Sequence, residues 1–184
     1  MEKGSPIKST IALLATVATL TISTQSFADA GTINFKGNVV AAACDVTVNG
    51  TASADVTLGN WPTSTFKNTG DKSSPQPFTL SVNNCNAGTY QFAFIGTADT
   101  ANTNLFKVSN ATGVGIGLAS ADGSTAVNIN TTASSASNAS LTTTGSTAGA
   151  ATGTLNLQAF YQATGATVAA GAANATARVT LQQK

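Results

Sequence analysis

Few side chains in this 184-residue chain can do chemistry. There is no histidine to serve as a general base near neutral pH, and cysteine occurs only at Cys44 and Cys85. Acids are equally sparse: Glu2 and the aspartates Asp29, Asp45, Asp55, Asp71, Asp99 and Asp122 are scattered without a nucleophile-and-base motif. With no histidine to complete a ligand set, a metal site has no support. Gly113-Val-Gly-Ile-Gly117 superficially resembles a phosphate-cradling loop. It lacks the third glycine at the dinucleotide spacing, and no helical period follows, so it is expected to be a glycine-lined strand. Trp61 and Tyr90 are expected in the core rather than on a sugar-binding platform. The reading is of a protein that is not an enzyme and holds no cofactor.

The start of the chain bears on the fate of the cysteines. Lys3 and Lys8 precede an apolar run of twelve residues at 11–22, and Ser26-Phe27-Ala28 follows as a small-x-small cleavage site. That run falls short of the roughly 20 residues needed to span a bilayer, so residues 1–28 read as an export signal. The mature chain would begin at Asp29 with 156 residues, the size of one domain. In an oxidising compartment two cysteines are expected to join, and a Cys44–Cys85 disulfide is predicted. The mature charge is balanced, with six basic residues against six aspartates and no basic run. Nucleic-acid binding and attachment to anionic lipid both lose support.

These sparse residues must be carried by strands. Apolar residues alternate with period two at Val46 and Val48, Val56 and Leu58, Phe78 to Val82, Tyr90 to Phe94, Val114 to Leu118, Val127 and Ile129, Leu155 to Tyr161, and Val179 and Leu181. Turn-rich clusters such as Asn68-Thr-Gly-Asp71 and Asp122-Gly123 separate them, as in an all-β sandwich. The Thr-, Ser-, Ala- and Gly-rich stretch at 131–154 is expected to be an exposed hairpin. Five Asn-x-Ser/Thr triplets, at Asn49, Asn110, Asn130, Asn138 and Asn174, are what chance yields in a chain this rich in those residues.

Both ends of the mature chain carry an apolar row. At the front, Gly31, Ile33, Phe35, Gly37 and Val39 alternate with polar Thr32, Asn34, Lys36 and Asn38. At the back, Val179, Leu181 and Gln183 share a strand face, alternating with Arg178, Thr180 and Gln182. The front row alone fits an ordinary first strand. A last strand that ends the chain, beside a detachable first segment, points instead to a sheet edge that another chain fills.

The chain resembles the major subunits of type 1-like fimbriae, assembled on Gram-negative bacteria by the chaperone-usher route. The resemblance is carried by Gly31-Thr-Ile-Asn-Phe-Lys-Gly-Asn-Val-Val-Ala-Ala-Ala-Cys44, Phe94-Ile-Gly-Thr-Ala98, Gln158-Ala-Phe-Tyr-Gln-Ala-Thr-Gly165 and Gly171-Ala-Ala-Asn-Ala175. It implies an incomplete immunoglobulin-like sandwich over residues 43–184 that lacks its final strand. Residues 29–42 would be a donor-strand extension whose Gly31, Ile33, Phe35, Gly37 and Val39 fill the groove of the neighbouring subunit. A periplasmic chaperone would lend a strand first, and exchange at an outer-membrane usher would build a head-to-tail homopolymer at the cell surface that supports adhesion, with a host receptor as a further partner. Gly171, the fourteenth residue from the end, with Val179, Leu181 and Gln183, matches the strand read by chaperone and usher. The family usually has an aromatic residue at the penultimate position, where this chain has Gln183. The alternative is a minor adaptor or a single-domain glycan-binding adhesin, although 156 residues leave no room for a separate lectin domain.

Overall fold

The computed structural model describes residues 44–131 and 138–184. Among them the chain forms β1 (Asp45–Val48), β2 (Gln76–Cys85), β3 (Gly88–Gly96), β4 (Phe106–Lys107), β5 (Val114–Ser120), β6 (Ala126–Val127), β7 (Ser140–Thr143), β8 (Ala151–Ala163) and β9 (Ala177–Gln183), plus a 3-10 turn at Thr63–Thr65. One sheet has the order β1-β2-β8-β5-β4, with β6 also on β5; the other has the order β7-β3-β9. All the pairings are antiparallel. The fold is an all-β sandwich, as the period-two rows require.

The core lies where the inward rows of the two sheets meet. Phe78, Leu80 and Val82 of β2 and Leu157 and Ala159 of β8 join Tyr90, Phe92 and Phe94 of β3 in one buried cluster. Leu80, Val82 and Phe92 have no exposed surface at all, so each contributes about 1.5 to 3 kcal/mol of burial. The Tyr90 hydroxyl donates to the Asn86 carbonyl at 3.0 Å, which satisfies its polar end inside the core. Cys44 and Cys85 are joined, as expected, and clip the start of β1 to the end of β2.

The glycines of β5 are explained on its other face. A Cβ on Gly117 would come within 2.7 Å of the Phe160 ring, and one on Gly115 within 2.9 Å of Leu105. Both large side chains are buried there, on the side away from the main core. Lys72 Nζ lies 4.5 Å from the Phe160 ring centroid and caps this small outer cluster. The glycine-lined strand is therefore a packing device.

The stretch at 131–154 departs from the expected hairpin. Its strands β7 and β8 belong to different sheets, linked at their near ends by a bridge between Thr144 and Thr152. Leu141, its one large apolar residue, is buried in the core and brings β7 onto β3. Gly153 leaves the space Leu141 uses, since a Cβ there would meet Leu141 Cδ1 at 2.5 Å.

Candidate strand-binding groove

The path of the chain after β1 opens the site. Val48 and Thr51 bond reciprocally around Asn49 and Gly50, whose φ values of 48° and 83° suit a two-residue turn. Asn49 also holds β2: its N–H donates to the Thr79 carbonyl at 2.8 Å, and its Oδ1 accepts from the Thr79 N–H at 2.9 Å. Beyond this turn the chain leaves β2. Residues 54–58 run on with Asp55 and Thr57 exposed, Val56 half-buried and Leu58 buried. The strand expected around Val56 and Leu58 is thus present as an alternating row, but it has no ladder partner among the described residues.

β9 is the other open edge. It pairs with β3 along one side, from Gly96↔Ala177 to Tyr90↔Gln183, and is the last strand of its sheet among the described residues. That register puts Val179, Leu181 and Gln183 opposite Phe94, Phe92 and Tyr90, on the core-facing side. Val179 and Leu181 pack against the main core while staying partly exposed.

Between these elements lies a groove of about 1020 Å³. Residues 54–59 and the run at 168–177 line it together with Val179, over Phe78, Leu80, Phe94, Ile116 and Tyr161. Half-exposed Val56, Ile116, Tyr161 and Val179 give it an apolar interior open to solvent. Trp61 also lines it, its Nε1 donating to the Leu58 carbonyl at 2.8 Å, and packs on a second buried cluster of Phe66, Val108, Val114 and Ala163. Trp61 is therefore part packing residue and part groove lining, rather than wholly core as expected. Open strand edges over an apolar cleft provide main-chain pairing and alternate side-chain pockets for an added strand.

Gly171 does not join the β9 row. It lies in the run before that strand, and a Cβ there would come within 2.8 Å of the Ala111 amide nitrogen. Gln183 is on the row, and its side chain lies over Gly88, where a Cβ would meet Gln183 Nε2 at 2.6 Å. Gly31, Ile33, Phe35, Gly37 and Val39, like the export signal, lie outside the described residues. The periodicity of the sequence located β9 but not the run at 168–177, because a chain of alanines, glycine and asparagine has no apolar period to read.

The family model described as "Fimbrial protein" matches residues 33–183. This chain belongs to the fimbrial protein family. A type-1 fimbrial protein subunit of Serratia marcescens is 32% identical over 185 residues, covering 97% of this chain and 100% of that protein. Among solved structures, the P pilus rod subunit PapA matches with a TM-score of 0.57 at 19% identity, covering 76% of this chain and 99% of that one. A chaperone-usher pilus described for its rod uncoiling also matches at 0.57 and 22% identity, covering 84% of this chain and 95% of that one. The two structures establish the pilin fold, and family membership makes this fimbrial subunit a structural protein and not an enzyme.

Proposed function

We infer that this protein is a polymerising shaft subunit of a bacterial surface fimbria, joined head to tail by donor-strand exchange. The reading rests on one observation: among the described residues, 54–58 have no strand partner and β9 is paired on one side only, and both line one apolar groove. The occupant is the row Gly31, Ile33, Phe35, Gly37 and Val39 from a second copy of the chain. Ile33 and Phe35 supply most of the apolar area, about 1.5 to 3 kcal/mol each when fully buried. A contact between one subunit's end and another's groove is not self-complementary, so it propagates as an open filament. Export through the periplasm, a chaperone that fills the groove before assembly, an outer-membrane usher and a role in adhesion complete the reading. They are supported by the signal-like residues 1–28 and by the chaperone-usher pilus among the fold's neighbours.

Deleting residues 29–37 tests it. The shortened subunit is expected to accept a strand from a full-length neighbour but to donate none, so it ends a growing fibre at short oligomers. Polymer growth by the shortened subunit alone, seen by electron microscopy, would refute donation by this segment.

A further inference from the structure

The run at 168–177 is an unusual choice for the side of a binding groove. Alanines and a glycine dominate it, and apart from Val168 and Ala173, which pack on the second cluster, its side chains bury too little area to hold it in place. Hydrogen bonds hold the rest: Thr112 and Ala169 bond reciprocally through their main chains at its start. The Ala172 carbonyl accepts from the Asn110 N–H at 2.8 Å, the Ala111 N–H at 3.0 Å and the Ser109 hydroxyl at 2.8 Å. Ser109 Oγ in turn accepts from the Asn174 N–H at 3.3 Å, so one hydroxyl spans two residues of the run. From the groove floor, the Tyr161 hydroxyl donates to the Ala173 carbonyl at 3.0 Å. Gly171 lets the backbones approach this closely.

We propose that Ser109 and Tyr161 are positioning residues for strand acceptance: their hydroxyls latch the run at 168–177 so that the groove is already shaped when a strand arrives. The proposal rests on the strand-exchange reading and adds the residues that make the acceptor competent. Without the latch the run samples other conformations, and only the fraction with the wall in place takes a strand. Preorganisation of this kind acts on entry, because it removes an ordering cost that would otherwise fall at binding. Burial raises the Tyr161 pKa above its ordinary value of 10.0, so the hydroxyl keeps its proton, and remains a donor, at physiological pH.

The test uses the full chain carrying Ile33→Asp and Phe35→Asp, which leaves it an acceptor only, and a fluorescent peptide of residues 29–42. Loss of either hydroxyl, by Ser109→Ala or Tyr161→Phe, is expected to slow peptide association about fivefold, the scale of one hydrogen bond. Tyr161→Phe keeps the ring on the groove floor. The double variant should fall short of the product of the two, because both hydroxyls hold one run. Ser109→Thr keeps the hydroxyl and should restore the parent rate. Amide exchange should quicken at Asn110, Ala111 and Asn174 while β2 and β8 keep the parent's protection. Association at the parent rate in both single variants would overturn the latch alone, as would failure of Ser109→Thr to restore it. A parent that takes up no peptide would overturn the strand-exchange reading, and with it any part of the latch in acceptance.

Discussion

The two sheets of this sandwich are built to different standards of completeness. In the six-stranded sheet the thirteen-residue β8 is flanked by β2 and β5, and the disulfide clips the entry of β1 to the end of β2. Among the described residues the three-stranded sheet ends at β9, whose core-facing Val179 and Leu181 stay partly exposed. The difference separates two regions: the large sheet and β3 supply most of the buried core, and among the described residues the short sheet leaves one side of β9 unpaired, the edge that the proposed function gives to another chain. A sheet edge with an apolar row beside it is normally an aggregation hazard. Under the proposed strand exchange the hazard is directed, since one kind of strand in one register fills the groove.

Substitutions should therefore divide by location. The largest loss of stability is expected from Phe92→Ala, which empties the closed side of the core and should cost about 3 to 5 kcal/mol in urea unfolding. Cys44→Ser comes next. Opening the Cys44–Cys85 loop, with a sequence separation of 41, should cost about 3 to 4 kcal/mol, measured on oxidised and variant proteins. At the open edge, Val179→Asp should change stability by only about 1 kcal/mol while abolishing uptake of the 29–42 peptide. A loss as large as that of Phe92→Ala would show that the two sides are not distinct.

The smallest effect belongs to a loop remote from the contrast. Asp122 is fully exposed, and hydrogen bonds from Ser120, then Ser124, lower its pKa from 3.8 to about 2. Because the folded value is the lower one, the stabilisation is present above about pH 4 and is lost as pH falls through about 2. An NMR titration should place the Asp122 midpoint near 2, and Ser120→Ala should move it back toward 3.8.

Much of this fold is legible in the sequence. Period-two rows found β2, β3, β5, β8 and β9 because a half-buried strand must alternate. The disulfide followed from two cysteines behind an export-like start. The rows at 54–58 and in β9 were legible as strand-like, but a sequence states which residues alternate and not which edges find partners. The stretch at 131–154 misled for a related reason: Leu141 is a single apolar residue with no row to read, and β7 pairs with β3, some fifty residues earlier, rather than along β8.

Residue type and local spacing were enough for the all-β class and the two apolar rows, because a half-buried strand must alternate. The three-dimensional arrangement was needed to see that β9 is paired on one side only among the described residues, that Asn49 and Gly50 turn the chain away from β2, and that Ser109 and Tyr161 hydrogen-bond to an alanine-rich run beside residues 109–112. Those facts depend on long-range pairing and close backbone approach. No window of neighbouring residues encodes them.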